Sequence, residues 1–231
     1  LIAAETSLSL SNNAIVDLSG IEDFIALTQL YCGDNQLTSL DVSQNTALTF
    51  LNCNNNQLIS LDVNNNTALT ALQCSGNNLT SFDVSGATAL TYLECPWNQL
   101  TSLDVSGATA LTYLDCNNNQ LISLDVNNNT ALTTLQCSGN NLTSLNVSAN
   151  TSLIELYCNN NQLTSLDVSQ NTALTQLYCS DHQLTSLDVR NGNNVNMSNV
   201  NFLAFNNPNL SCISVDDTVY SNASWMLIDP Q

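Results

Sequence analysis

A unit of 21 residues, seen cleanly as LTYLDCNNNQLISLDVNNNTA from Leu111 to Ala131, repeats eight times without a gap from Leu27 to Asn194. Aligned by that period, each copy reads L-x-x-L-x-C-x-x-N-x-L-x-x-L-D-V-x-x-x-x-x. So short a unit has no room for two packed helices, and fixed apolar positions recurring at this period mark a solenoid in which each repeat is buried by its neighbours. The unit is itself nearly doubled: Leu111, Leu114 and Cys116 match Leu121, Leu124 and Val126 ten residues on. Each half holds a short L-x-C or L-x-V alternation, the period of a strand with one buried face. The expected fold is an all-β-rich repeat solenoid with two short parallel strands per repeat, little or no helix, and a Leu/Val/Cys core between two sheets. Its strands should lie about 4.8 Å apart.

Two inward columns set the corners and fill the core. Asn35, Asn56, Asn77, Asn98, Asn119, Asn140 and Asn161 each follow a core cysteine by three residues. A buried Asn amide can satisfy backbone groups exposed where a chain turns, and Asn tolerates turn conformations. Eight of the nine cysteines form the other column: Cys32, Cys53, Cys74, Cys95, Cys116, Cys137, Cys158 and Cys179. Buried thiols, disulfides between adjacent coils and a metal site are the three readings. The 21-residue spacing fits no zinc pattern, and parallel side chains in register rarely give a disulfide dihedral near the required ~90°. Reduced thiols acting as small hydrophobes are therefore expected. Cys212 lies outside the column, points outward and is available to pair with a cysteine beyond this sequence.

The chain divides into residues 1–26, 27–194 and 195–231, all one elongated domain of ten coils roughly 50 Å long. In the first part Leu8, Leu10, Asn13 and Ile15 fit the template as a divergent capping coil. After Val189 the register breaks: five extra residues are read within RNGNNVNMSN, and the template resumes as Val200, Leu203, Phe205, Pro208, Leu210, Ile213 and Val215. The tail to Gln231, with Trp225 and Pro230, is expected to fold over the open end as a cap. No run of about 18 apolar residues occurs and the chain starts at Leu1, which reads as a processed or trimmed piece without membrane insertion.

The pattern LxxLxCxxNxL resembles the leucine-rich repeat, and the nested half with LDV resembles a 21-residue bacterial variant of it. DLSGIEDF is similar to the opening of internalin-type repeats, and NPNLSCISVDD followed by YSNASW resembles the ends of secreted bacterial repeat proteins. The resemblance covers nearly the whole chain. It implies a right-handed coil and a non-catalytic recognition module, secreted or displayed on a bacterial cell surface. It names no ligand.

Charge narrows the partner. Nineteen acids face one base, Arg190, for a formal net charge of −18. Nucleic acid and anionic membranes need clustered Lys or Arg and are excluded as partners. The second strand exposes a column of Asp41, Asp62, Asp83, Asp104, Asp125, Asn146, Asp167 and Asp188. Neighbours about 5 Å apart repel by roughly 1 kcal/mol in water. The column is either a solvated face with Ser hydroxyls donating to Asp or a cation site, with Asp62, Asp83, Asp104 and Asp125 the candidates for Ca²⁺; a Ca²⁺ ion normally takes about six to eight oxygens.

The first strand exposes two variable columns. One runs Gln29, Phe50, Ala71, Tyr92, Tyr113, Thr134, Glu155, Gln176; the other runs Tyr31, Asn52, Gln73, Glu94, Asp115, Gln136, Tyr157, Tyr178. Five of the six tyrosines lie on this face, where the core does not need them. Such aromatics either pack across strands or serve recognition. Around them Pro96 and Trp97 replace the usual pair after the core cysteine, and Ala87 and Ala108 interrupt a second asparagine column. The candidate ligand-binding residues are Phe50, Tyr92, Glu94, Trp97, Tyr113, Asp115, Tyr157 and Tyr178, with Trp97 expected beside Tyr92, Glu94, Tyr113 and Asp115. Catalysis finds no support, because the one histidine, His182, stands in an asparagine corner and the cysteines face inward. The reading is a recognition module for a protein or peptide, with a glycan-binding module and a structural spacer with cation-binding Asp columns as alternatives.

Overall fold

The structure, a computed structural model, describes residues 4–225. One short segment per coil forms a strand, three residues long from Ser7–Ser9 through Gln29–Tyr31 and Tyr113–Asp115 and two in Phe202–Leu203, and these stack into a ten-stranded parallel sheet. The middle residue of each repeat's strand is a buried leucine and its two neighbours face out. A threonine column leads into the sheet. Thr112, for example, gives both its backbone N–H (2.9 Å) and its hydroxyl (3.0 Å) to the carbonyl of Thr91 one coil earlier. Stacking is thus fixed before the strand starts.

The second sheet exists but is interrupted. Ser81–Asp83 pairs with Ser102–Asp104, and Ser165–Asp167 pairs with Ser186–Asp188 and then Ile213–Ser214. The same positions at 39–41, 60–62, 123–125 and 144–146 carry no ladder. The second corner bears on the difference. Asn129, typical of it, donates from Nδ2 to the carbonyls of Val105 and Ala108 in the preceding coil at 2.9 and 2.8 Å. Coil junctions filled by Asn66, Asn129, Asn150 or Asn171 have no second ladder, and the ladders fall where Ala108 or Gly192 stands instead; the Ala87 junction has neither wedge nor ladder, so an open corner permits pairing without imposing it. Without the wedge the coils close up: a Cβ on Gly107 would lie 2.0 Å from the Ser85 carbonyl oxygen.

Between the sheets, the Leu, Cys and Val columns make one continuous buried core from Ile21 to Trp225. All eight column cysteines are free and buried, with thiols pushed above their ordinary range first by burial, and Cys212 is free and exposed. The corner asparagines act as expected. Asn119 Nδ2 donates to the carbonyls of Cys95 and Cys116, each at 3.1 Å, while its Oδ1 accepts from the Leu100 N–H at 3.0 Å. One asparagine therefore fastens its own turn and the coil before it.

The ends are irregular. The first coil contributes half-buried Leu8, Leu10 and Ile15 to the core. In the last coil the sequence register is corrected by one residue in its first half. Phe202, not Leu203, pairs with Leu177 and fills the core, Ala204 takes the cysteine position, and Val200 and Phe205 are exposed. The insertion there is four residues, since Phe202 lies 25 after Leu177 rather than 21. A one-residue slip exchanges the two faces of a strand, and the buried partner decides it: Trp225 stacks on Phe202 with ring centroids 4.1 Å apart and donates from its indole N–H to the Met197 carbonyl. In the second half Ile213 pairs with Leu187 as read from the sequence. A helix, Thr218–Ser224, is capped by the Asp217 side chain accepting from the N–H groups of Val219 and Tyr220. Pro230 lies outside the described residues.

Two outcomes follow from this packing. Asn119→Ala strands the Leu100 N–H in the core and leaves the Cys95 and Cys116 carbonyls one donor each, from Asn98 and Asn140, and should lower unfolding stability in urea by about 1–3 kcal/mol, against near zero for the exposed Asn127→Ala. In a thiol-titration assay one cysteine, Cys212, should react in the native protein and all nine in denaturant.

Candidate functional site

The uniform 21-residue register places the variable side chains of the first strands in two straight columns on the outer face of the long sheet. Near its middle, Tyr92 and Tyr113 stack with centroids 4.5 Å apart and planes 9° from parallel. Beside them Glu94 and Asp115 are register partners, so two carboxylates stand on neighbouring strands. Two more aromatic pairs flank the centre. Tyr31 and Phe50 meet at 4.9 Å, and Tyr157 and Tyr178 meet edge to face at 4.9 Å.

A chain of side-chain hydrogen bonds fixes these groups. Asn52 Nδ2 donates to Gln73 Oε1 and Gln73 Nε2 to Glu94 Oε2, both at 2.8 Å, and the Tyr92 hydroxyl donates to Glu94 Oε1. On the far side Gln136 Nε2 donates to the Tyr113 hydroxyl at 3.0 Å, and the Tyr157 hydroxyl donates to Gln176 Oε1 at 2.7 Å. Tyr31, Asn52, Gln73, Gln136 and Gln176 join the candidate residues through these contacts. Their signal was the shared column, since residues one period apart must touch.

The electrostatics of the centre are one-sided. Burial, then the Glu94 charge, pushes the Asp115 carboxyl up to about 6, although the Asn117 N–H donated to it at 2.9 Å pulls the other way. Burial first, then Asp115 and Glu94, pushes the Tyr113 hydroxyl up to about 12. The Tyr92 hydroxyl is raised by burial and by its bond to Glu94. The one Arg, Arg190, pairs with Asp188 on the other sheet. No base on this face balances Glu94 and Asp115.

Trp97 departs from the expected patch. It is 67% exposed, sits in the turn beyond the strand at φ +56°, and makes no ring contact with Tyr92 or Tyr113. The turn position is left-handed in nearly every coil, held elsewhere by Asn, Asp or Gly, and a bulky ring there is costly. The indole is thus presented at the rim and the tyrosines in the centre.

On the second face the Asp column has a local task. Asp41, Asp62, Asp83, Asp104, Asp125, Asp167 and Asp188 each accept through Oδ1 from the backbone N–H two residues ahead, at 2.8 to 3.1 Å, closing the turn. The Ser43 and Ser106 hydroxyls and N–H groups hold Asp41 and Asp104 below the ordinary carboxylate range. Among the described residues no three His, Cys, Asp or Glu side chains converge. The depressions on this side are shallow ones between coils, such as that lined by Ser39, Asp41, Ser60 and Asp62. No helix among the described residues is long and apolar enough to cross a membrane.

Strand, threonine column, buried cysteine, corner asparagine and parallel stacking define the leucine-rich-repeat coil. Comparison with known proteins agrees. The family model described as Leucine Rich repeats (2 copies) matches residues 6–45 and 151–192. Internalin J of Listeria monocytogenes serotype 4b (strain F2365) is 50% identical over 45 residues, which are 20% of this chain and 5% of that protein. The solved functional domain of Internalin J from Listeria monocytogenes, described as including a cysteine ladder, is 40% identical with a TM-score of 0.78 over 93% of this chain. This chain spans 54% of that domain. YopM, a leucine-rich effector protein from Yersinia pestis, is 25% identical with a TM-score of 0.66, covering 78% of this chain and 50% of its own. The chain is a leucine-rich-repeat protein similar to the bacterial internalins.

The Asp115 shift has a measurable sign. Its folded value, about 6, lies above the ordinary 3.8, so the folded state holds its proton more tightly. That contribution is full below pH ~3.8 and is lost as pH rises through ~6. Asp115→Asn should remove the loss, giving a higher melting temperature than the parent at pH 7.5 and a difference that shrinks towards pH 4.

Proposed function

We propose that this chain is a non-catalytic recognition module, secreted or displayed on a bacterial cell surface, whose first-strand face binds a basic segment of a protein or peptide. The observation that carries the proposal is the unbalanced Glu94–Asp115 pair beside the Tyr92–Tyr113 stack, in a chain whose single Arg is engaged on the other sheet. Ala71 sits between Phe50 and Tyr92 in the column and leaves a notch between two aromatic rings. A guanidinium suits such a place, since it stacks on rings and forks onto carboxylates. Phe50, Tyr92, Glu94, Tyr113 and Asp115 form the centre; Tyr157 and Tyr178 extend the surface, and Trp97 marks its rim. Binding an exposed cation to Glu94 and Asp115 removes the electrostatic cost of ionising a half-buried Asp115.

The glycan reading rests on exposed Trp97. It draws less support from the tyrosines, which turn their inner faces on each other, whereas a sugar packs on an open ring face. The spacer reading needs carboxylates free to converge on a cation, and each Asp of that column already spends one oxygen on its turn.

The test is fluorescence anisotropy with a labelled peptide carrying paired arginines, and with its glutamate counterpart. Binding of the arginine peptide alone is expected, weakening as salt rises and as pH falls below ~6, where Asp115 takes up its proton. Glu94→Gln with Asp115→Asn should weaken it tenfold or more, and Tyr92→Ser with Tyr113→Ser likewise. Equal binding of both peptides, or affinity unmoved by these substitutions, would overturn the proposal. Retardation in polysaccharide gels that is lost in Trp97→Ala would move the function to glycan binding.

A further inference from the structure

Seven buried asparagines fasten the first corner of successive coils, and in the eighth repeat His182 stands in their place. Asn161, one coil earlier, shows what the corner requires. Its Nδ2 donates to the carbonyls of Cys137 and Cys158 at 3.0 and 2.8 Å, and its Oδ1 accepts from the Leu142 N–H at 3.0 Å. Asn207 restores the arrangement in the last coil, donating to the carbonyls of Cys179 and Ala204 at 3.0 Å and accepting from the Leu184 N–H at 3.3 Å. His182 does neither. It is 4% exposed, and neither ring nitrogen reaches hydrogen-bonding geometry with any group among the described residues.

We propose that His182 makes the junction between the seventh and eighth repeats an acid-sensitive joint: a proton on the imidazole is accommodated only when this corner opens to water, which loosens the eighth repeat together with the last coil and the cap upon it. An imidazolium closed in without aligned acceptors pays the desolvation of its charge. The groups facing the ring are few. The carbonyls of Cys158 and Asn161 and the carboxylate of Asp181 favour the charged form, yet burial outweighs them and holds the imidazole below its ordinary value of 6.5. The thiols of Cys158 and Cys179 stay neutral, raised by burial. On the other side of the eighth repeat the last coil presents uncharged Asn206 and Asn207, and Asn206 donates to Asp181 Oδ1 at 2.7 Å.

The sign is fixed by linkage. The open form takes the proton near pH 6.5 and the closed form below it, so closure is complete above ~6.5 and is lost as pH falls from there through the folded value. What opens is a defined piece. Phe202 pairs onto the eighth repeat, Trp225 stacks on Phe202, and the Trp225 indole N–H and the Tyr220 hydroxyl both donate to the Met197 carbonyl.

Hydrogen exchange read by mass spectrometry on the intact chain, as protection factors between pH 7.5 and 5.0, tests the joint. Residues 174–225 should lose protection by up to tenfold per pH unit below 6.5, while residues 69–140 keep theirs. Asp115, in that control region, titrates over the same range but gains stability in acid. His182→Asn, which restores the column residue, should abolish the loss. Because the chain has a single histidine, its imidazole proton resonance should titrate with a midpoint below 6.5 in the parent protein. A midpoint at or above 6.5, or the same loss of protection in His182→Asn, would overturn the inference.

Discussion

Everything in this fold depends on a buried primary amide that bonds to two coils at once. An apolar core of Leu, Val and Cys supplies the drive to stack, but apolar contact has no direction and would tolerate sliding. Asn119 and its counterparts add direction. Each ties the carbonyl of a cysteine in its own coil to that of the cysteine one coil back, and receives an N–H from that earlier coil. An unmade bond in such a place costs more than a made one gains, so the turns are held to one spacing and the period to 21 residues. The threonine column does the same on the approach to the sheet.

That rigidity is what makes a face of variable residues useful. Since the core is filled by one invariant set of positions, the two outward columns of the long sheet answer to nothing inside. They vary from coil to coil, while the Asp column of the second face stays nearly constant and closes its turns. Stacked tyrosines, amide ladders and a carboxylate pair then sit on a backbone that need not move when a partner arrives. The cost of presenting them shows in Asp115, whose half-buried carboxyl holds its proton up to about pH 6.

The sequence disclosed whatever the period controls. The coil, the inward cysteines, the corner asparagines and the two outward columns could all be read from positions one repeat apart. What escaped was set by side chains acting between coils. Second-sheet pairing is missing where an asparagine such as Asn129 wedges the corner and returns at Ala108 though not at Ala87, which alternating Leu and Val cannot reveal. In the last coil the aromatic and aliphatic residues at 202, 203 and 205 satisfy two registers equally, one of them with Leu203 and Phe205 inward. Trp225, far along the chain, selects the one with Phe202 buried. Trp97 was expected among the tyrosines because it is close in sequence, yet the left-handed turn after Pro96 carries it to the rim.

The most direct measurement of the recognition claim is an unbiased selection: display of a random peptide library against the immobilised chain, with the Tyr92→Ser/Tyr113→Ser protein as the counter-target. The account expects the retained peptides to be rich in arginine and lysine and to be lost on the counter-target. Retained peptides of neutral or acidic composition, or peptides that bind both proteins alike, would contradict it.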